Sequence, residues 1–124
     1  MKSIIKDALF LIEAIECEKL PVRVLIARYS ALFSETDCHS LIPPECRECD
    51  RYSETAYVYV VGSYLYQRIT GNPVTWFERR RFAEYDRYFM LFSKSLSSNP
   101  KRRFQQLYDL KDYLTRRMTD ENTN

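Results

Sequence analysis

The stretch "SETAYVYVVGSYLYQRIT", residues 53–70, decides the fold because its pattern suits two kinds of secondary structure. The alternation of tyrosine and valine over 57–60 has the propensity of a β-strand. A helix also fits, because apolar residues recur at intervals of three and four and Ser53 can cap the first turn. We favour the helix, which is apolar nearly all round. Such a helix is expected at the centre of a bundle or against a partner.

Gly62 lies in the middle of this proposed helix. A glycine there costs about 1 kcal/mol relative to alanine unless packing compensates. We therefore predict that Gly62 permits a close crossing with another helix rather than marking a turn.

Two amphipathic helices are predicted before this stretch, and they are expected to form a hairpin. The first covers about 3–17, "KLP" breaks it, and Pro21 suits the first position of the second. The apolar positions are Ile4, Ala8, Leu11, Ile12 and Ile15 in the first helix and Val22, Leu25, Ile26, Tyr29, Leu32 and Phe33 in the second.

Two further helices are predicted after it. One starts at Thr75, with Glu78 at capping-box spacing, or at Asn72-Pro73 just upstream. The other starts with Asn99 as N-cap and Pro100 at the first helical position. Their apolar positions are Phe82, Tyr85, Phe89, Phe92 and Leu96 in one and Phe104, Leu107, Leu110, Leu114 and Met118 in the other.

The composition agrees with a helical domain. Two glycines and five prolines in 124 residues are too few for the frequent turns of an all-β fold. The chain length suits one domain. We predict an all-α, single-domain bundle of about five helices over 1–118, followed by a polar tail at 119–124.

The longest predicted loop, 34–52, contains most of the cysteines. Thiolates spaced as C-x-x-C can bind one zinc ion from a turn, and a structural zinc site needs four N or S ligands. Unbound thiols are the favoured interpretation, one structural zinc that pins the loop is the second, and a redox or disulfide role is the third. The zinc ligands would be Cys38, Cys46, Cys49 and either Cys17 or His39.

The chain lacks the marks of membrane insertion or secretion. Charged residues interrupt the apolar residues near the N-terminus, and no apolar run approaches the ~18 residues that cross a bilayer. We therefore expect a cytoplasmic protein without a membrane partner, in which cysteines stay reduced.

Basic and aromatic residues are concentrated in the second half of the chain. Residues 71–124 carry 11 basic and 7 acidic side chains, against 8 and 10 in residues 1–70. Arginine accompanies aromatic residues in "WFERRRF", "AEYDRYF" and "KRRFQQLY", a combination that suits protein interfaces and also stacking on single-stranded bases. The predicted partner-binding or anion-binding residues are Trp76, Arg79, Arg80, Arg81, Arg87, Lys101, Arg102 and Arg103.

These residues favour a non-catalytic regulatory or adaptor protein that binds another protein through this surface. The alternative is a nucleic-acid-binding regulator, because cations at two helix N-termini, 79–81 and 101–103, are placed to hold phosphates. No motif of a known catalytic or phosphate-binding type occurs, so catalysis is not expected. The apolar helix over 53–70 also raises self-association as a hypothesis.

Overall fold

The structure, a computed structural model, describes residues 2–48, 51–74 and 88–118. These residues form an all-α fold of six α-helices without a strand among them. In this described part, no helix is both long and apolar enough to cross a membrane. The helices are α1 (Lys2–Glu18), α2 (Val22–Arg28), α3 (Cys38–Leu41), α4 (Glu54–Thr70), α5 (Phe89–Ser93) and α6 (Leu107–Tyr113), with 3-10 helices at Pro44–Cys46 and Pro100–Arg102 and a π-helical segment at Leu114–Met118.

Helix α4 is the centre of the fold, which confirms the helical prediction for 53–70. The Ser53 side chain accepts a hydrogen bond from the backbone N–H of Ala56, and Gly71 ends the helix in the left-handed conformation at φ 74°. Every residue from 56 to 67 is buried. Helices α1, α3, α5 and α6 all pack against α4. The tyrosine and valine alternation thus serves burial on all sides of a helix, not the two faces of a strand.

Gly62 is the point where α5 and the turn after it approach α4 most closely. A Cβ atom on Gly62 would overlap the Cβ of Ser95 and lie 3.2 Å from its Oγ. Ser95 is itself fully buried. The close approach predicted at Gly62 is present, but it is made by the turn after α5 and not by another helix.

The chain reverses direction between α1 and α2. The rings of Phe10 and Tyr29 meet edge to face at 6.4 Å, and Glu18 pairs with Arg28. Helix α2 is shorter than the apolar pattern suggests, because after Arg28 the backbone forms i→i−3 turns. Phe33 nevertheless reaches the core, where its ring lies 5.7 Å from that of Tyr64.

The predicted loop 34–52 is more ordered than expected, because α3 and a 3-10 helix lie within it. Asp37 caps α3 by accepting a hydrogen bond from the backbone N–H of His39, at 3.1 Å. Polar side chains of α4 also form hydrogen bonds with this segment. Gln67 accepts from the N–H of Asp37 at 2.6 Å, and Ser63 donates to the carbonyl of Ser40 at 2.9 Å. The segment is therefore attached to the central helix by hydrogen bonds.

The predicted apolar stripe of the fourth helix is shifted in the structure. Tyr88, Leu91, Phe92, Ser95 and Leu96 are buried, which is one helical face. Phe92 and Leu96 thus agree with the prediction. Phe89 does not, because it is 52% exposed. The predicted start of the fourth helix, at Thr75 or Asn72-Pro73, cannot be followed, since 75–87 lie outside the described residues.

The last helix begins seven residues later than predicted. Asn99 does cap a helix, since its Oδ1 accepts from the N–H of Lys101 at 3.0 Å, but that helix is a single 3-10 turn. Arg103 then turns extended, at φ −84° and ψ 169°. Helix α6 starts at Leu107, whose N–H donates to the Glu54 carboxylate at 3.0 Å.

Candidate binding cleft at the C-terminal helix

Arg103, a predicted anion-binding residue, is buried with no exposed side-chain surface. Its guanidinium donates two hydrogen bonds to the Glu45 carboxylate, at 2.6 and 2.9 Å, and a third to the carbonyl of Thr55 at 3.0 Å. Nε donates to the carbonyl of Ser97 at 2.8 Å, and the ring of Tyr59 lies 4.9 Å from the guanidinium carbon. The expectation of an outward-facing Arg103 is corrected: its negative partner is a carboxylate of the same chain, and the group stabilises the fold.

The charge of Arg103 controls the ionisation of Glu45. Burial favours the neutral acid, but hydrogen bonds from Arg103 and from the Glu45 backbone, together with the guanidinium charge, outweigh it and lower the pKa of Glu45. Glu45 is therefore held as a carboxylate.

The remaining predicted binding residues lie partly in the described and partly in the undescribed parts of the chain. Lys101 and Arg102 are exposed on the 3-10 helix. Trp76, Arg79, Arg80, Arg81 and Arg87 lie outside the described residues, so the structure does not relate them to Lys101 or Arg102.

The predicted zinc ligands do not converge in the described part of the chain. Cys17 and Cys38 are exposed free thiols, and Cys46 is buried. His39 is exposed on α3. Among residues 2–48, 51–74 and 88–118, no three His, Cys, Asp or Glu side chains are grouped to hold a metal ion. Cys49 lies outside these residues.

A cleft does occur on the outer side of α6. Leu107, Leu110 and Leu114 recur at intervals of three and four and are buried, which turns the opposite side of the helix outward. Phe104, from the segment just before the helix, covers part of that outer side. The cleft between them has a volume of about 220 Å³ and is lined by Phe104, Asp109, Asp112, Tyr113 and Arg116.

Two aromatic rings form one corner of the cleft. The Phe104 and Tyr113 rings have centroids 5.8 Å apart and planes inclined at 51°. The Lys94 ammonium lies 5.5 Å from the centre of the Phe104 ring, and the N–H of Phe104 donates to the Lys94 carbonyl at 2.8 Å. Lys94 follows Met90 by one helical turn and thus links α5 to the Phe104 side of the cleft.

We call this region the C-terminal surface. Three large apolar side chains on it or directly beside it are strongly exposed: Met90 at 51%, Phe89 at 52% and Tyr108 at 63%. The C-terminal surface comprises Phe89, Met90, Lys94, Phe104, Tyr108 and Tyr113 together with the cleft residues Asp109, Asp112 and Arg116.

The charged groups of the cleft are unequally engaged. Asp112 pairs with Arg116 through a contact of 2.9 Å, one helical turn apart. In the described part of the chain, no side chain pairs with the Asp109 carboxylate. Two carboxylates and one guanidinium therefore leave the cleft with one net negative charge.

Sequence reasoning did not identify this cleft. The signal was present in part, because Asp109, Asp112, Tyr113 and Arg116 follow one another at helical spacing on a single face. The position of Phe104 was not accessible, since the prediction placed it within the helix and not in the extended segment before it.

Comparison of the chain with protein-family models, with curated proteins and with solved structures found no match in any of the three. The function must therefore be inferred from the residues of this chain.

Proposed function

We propose that the protein is a non-catalytic binding protein whose C-terminal surface recognises a partner protein. The observations that support the proposal are the strong exposure of Phe89 and Met90 on α5 and the contact of Lys94, one helical turn after Met90, with the Phe104 ring of the cleft. Scattered apolar side chains are normal on protein surfaces, but aromatic residues and methionine are enriched in protein interfaces.

The chemistry of the C-terminal surface favours a protein over a nucleic acid. Its charged side chains, Lys94 and Arg116 against Asp109 and Asp112, carry no net charge, so the surface has no excess of cations to hold phosphates. Arg103, one of the cations on which the nucleic-acid alternative depended, is committed to Glu45. Lys101 and Arg102 remain exposed, so this alternative stays as an outcome of the test.

The test compares two phenylalanines of nearly equal exposure. Phe89 is 52% exposed on α5 and Phe10 is 55% exposed on α1. Full-length wild type, Phe89→Ser and Phe10→Ser are immobilised and exposed to a lysate of the cells that make the protein. We expect Phe89→Ser to retain at least about tenfold less of the captured protein, as for a residue central to an interface, and Phe10→Ser to match the wild type.

Salt and nuclease separate the two partner classes. Capture of a protein partner should persist from 50 to 200 mM salt and survive nuclease treatment. Loss of capture by orders of magnitude over that range, or on nuclease treatment, would instead support the nucleic-acid alternative. Equal capture by Phe89→Ser and the wild type would refute the proposed surface.

A further inference from the structure

We propose that the cleft on α6 binds an ammonium group, the side chain of a lysine on the partner protein. The Asp109 carboxylate supplies the opposite charge, and the Phe104 and Tyr113 rings surround the ammonium and its methylene groups. This inference rests on the proposed function, because it names the chemical group of the partner that the C-terminal surface receives.

The size of the cleft suits one side-chain end. Its volume is about 220 Å³. That space accepts an ammonium with the methylene groups next to it, and is too small for a folded element such as a helix.

The charges of the cleft select a cation. Asp112 is engaged by Arg116 at 2.9 Å, whereas Asp109 has no cationic partner among the described side chains. Aromatic ring faces carry negative electrostatic potential and attract cations within about 6 Å of their centres. The carboxylate and the two rings thus favour the same ligand, and an anion would meet repulsion from both.

The shape of the corner favours an ammonium over a guanidinium. A planar guanidinium binds best by lying flat on a ring or between parallel rings. The two rings of the cleft are inclined at 51°, so a flat group can stack on only one of them. An ammonium has no plane to align and can approach both. The Lys94 ammonium lies 5.5 Å from the centre of the Phe104 ring but does not line the cleft, so an ammonium in the cleft would approach from the side of Asp109 and Tyr113.

The test is an NMR titration of the ¹⁵N-labelled full-length protein with Nα-acetyl-lysine methylamide at constant ionic strength. We expect the amide resonances of 104 and 109–116 to shift towards saturation, with a midpoint of ~10–100 mM for a single side chain. The norleucine analogue has nearly the same shape without the charge, and it should shift these amides little. The arginine analogue should bind more weakly than the lysine compound.

Substitutions test whether Asp109 is the carboxylate that binds the lysine ammonium. Asp109→Asn should weaken lysine binding about threefold to fivefold, as loss of one partly exposed ion pair would. Glu13→Gln removes the same charge from an exposed position on α1 and should leave the midpoint unchanged. Equal binding of norleucine, tighter binding of arginine, no saturable shift, or an Asp109→Asn midpoint equal to that of the wild type would each overturn the assignment.

These failures are distinct from failure of the proposed function. If Phe89→Ser loses the captured partner while the lysine titration shows no saturable shift, the C-terminal surface binds a protein without a lysine in the cleft. If Phe89→Ser captures as the wild type does, the proposed function itself is refuted, whatever the titration shows.

Discussion

At the scale of single residues, Arg103 shows how a buried charge is made tolerable. Four of its five N–H groups donate to Glu45, Thr55 and Ser97, and the ring of Tyr59 lies beside the guanidinium. Breaking a buried ion pair on one side leaves an uncompensated charge, which costs more than the pair itself contributes. Glu45 and Arg103 therefore act as one unit, and the protonation of one affects both.

This coupling predicts how stability depends on pH. Because Arg103 lowers the pKa of Glu45 in the folded protein, the contribution of Glu45 is fully present above its ordinary value of 4.5. It is lost as the pH falls through the lowered value. Glu45→Gln removes the titrating group and leaves the buried Arg103 charge without its carboxylate. Its deficit in the free energy of unfolding relative to the wild type, ~3 kcal/mol at pH 7, should shrink between pH 5 and pH 3.

Urea unfolding of both proteins across this pH range measures the difference. Glu48→Gln is the matched control, because it removes an exposed carboxylate from the same segment. It should change the free energy of unfolding by less than about 0.5 kcal/mol at pH 7. A Glu45→Gln deficit that stayed constant down to pH 3 would contradict the coupling.

At the scale of elements, the crossing at Gly62 positions α5 and the turn after it against α4. Alanine is the better helix former by about 1 kcal/mol, so Gly62→Ala would stabilise an isolated helix. In the protein, its Cβ would overlap Ser95. We expect a net loss of ~1–3 kcal/mol in the free energy of unfolding, as for other overpacked interiors.

A double-mutant cycle with Ser95→Gly isolates this contact. Ser95→Gly removes the atom that the new Cβ would meet, so Gly62→Ala should cost at least ~1 kcal/mol less in that background. Chemical unfolding of the four proteins gives the coupling. The same cost in both backgrounds would show that the loss has another origin.

The sequence predicted those elements whose ends and periodicity are local. Ser53 and the apolar intervals after it identified α4, and the stripe from Ala8 to Ile15 identified α1. The last helix was misplaced at its start because Asn99 and Pro100 form a valid N-terminus, but of a single 3-10 turn. The turn ends at Arg103, which binds Glu45 in a contact across 58 positions of the chain that no local pattern contains.

The same limit applies to the candidate site. Arginine-rich and aromatic residues indicated the C-terminal half, and Phe89 and Met90 are exposed there. Which cations are exposed for binding depends on burial. In the sequence, Lys101, Arg102 and Arg103 are simply three adjacent cations. Only the tertiary contact with Glu45 separates Arg103 from its exposed neighbours.

At the scale of the whole molecule, the Arg103–Glu45 pair joins the C-terminal segment to the segment that precedes α4. The neighbouring residue, Cys46, is buried, and its carbonyl accepts a hydrogen bond from Arg23 at 3.1 Å. A metal ion was one predicted means of fixing this segment. The described contacts give it a hydrogen-bonded attachment on two sides, to Arg103 and to α4.

If this attachment holds the segment closed, loss of Arg103 should open it locally and expose the Cys46 thiol. Arg103→Met keeps an unbranched apolar stem and removes the guanidinium. We expect iodoacetamide to alkylate Cys46 at least about tenfold faster in this variant, because the segment loses the two hydrogen bonds that Arg103 donates to Glu45. Peptide mapping by mass spectrometry measures each cysteine separately, and the exposed Cys17 serves as the internal reference. Arg102→Met, an exposed neighbour, should leave the Cys46 rate unchanged. If urea unfolding shows that Arg103→Met lowers the free energy of global unfolding by as much as the Cys46 rate rises, the pair stabilises the protein as a whole and does not fasten this segment.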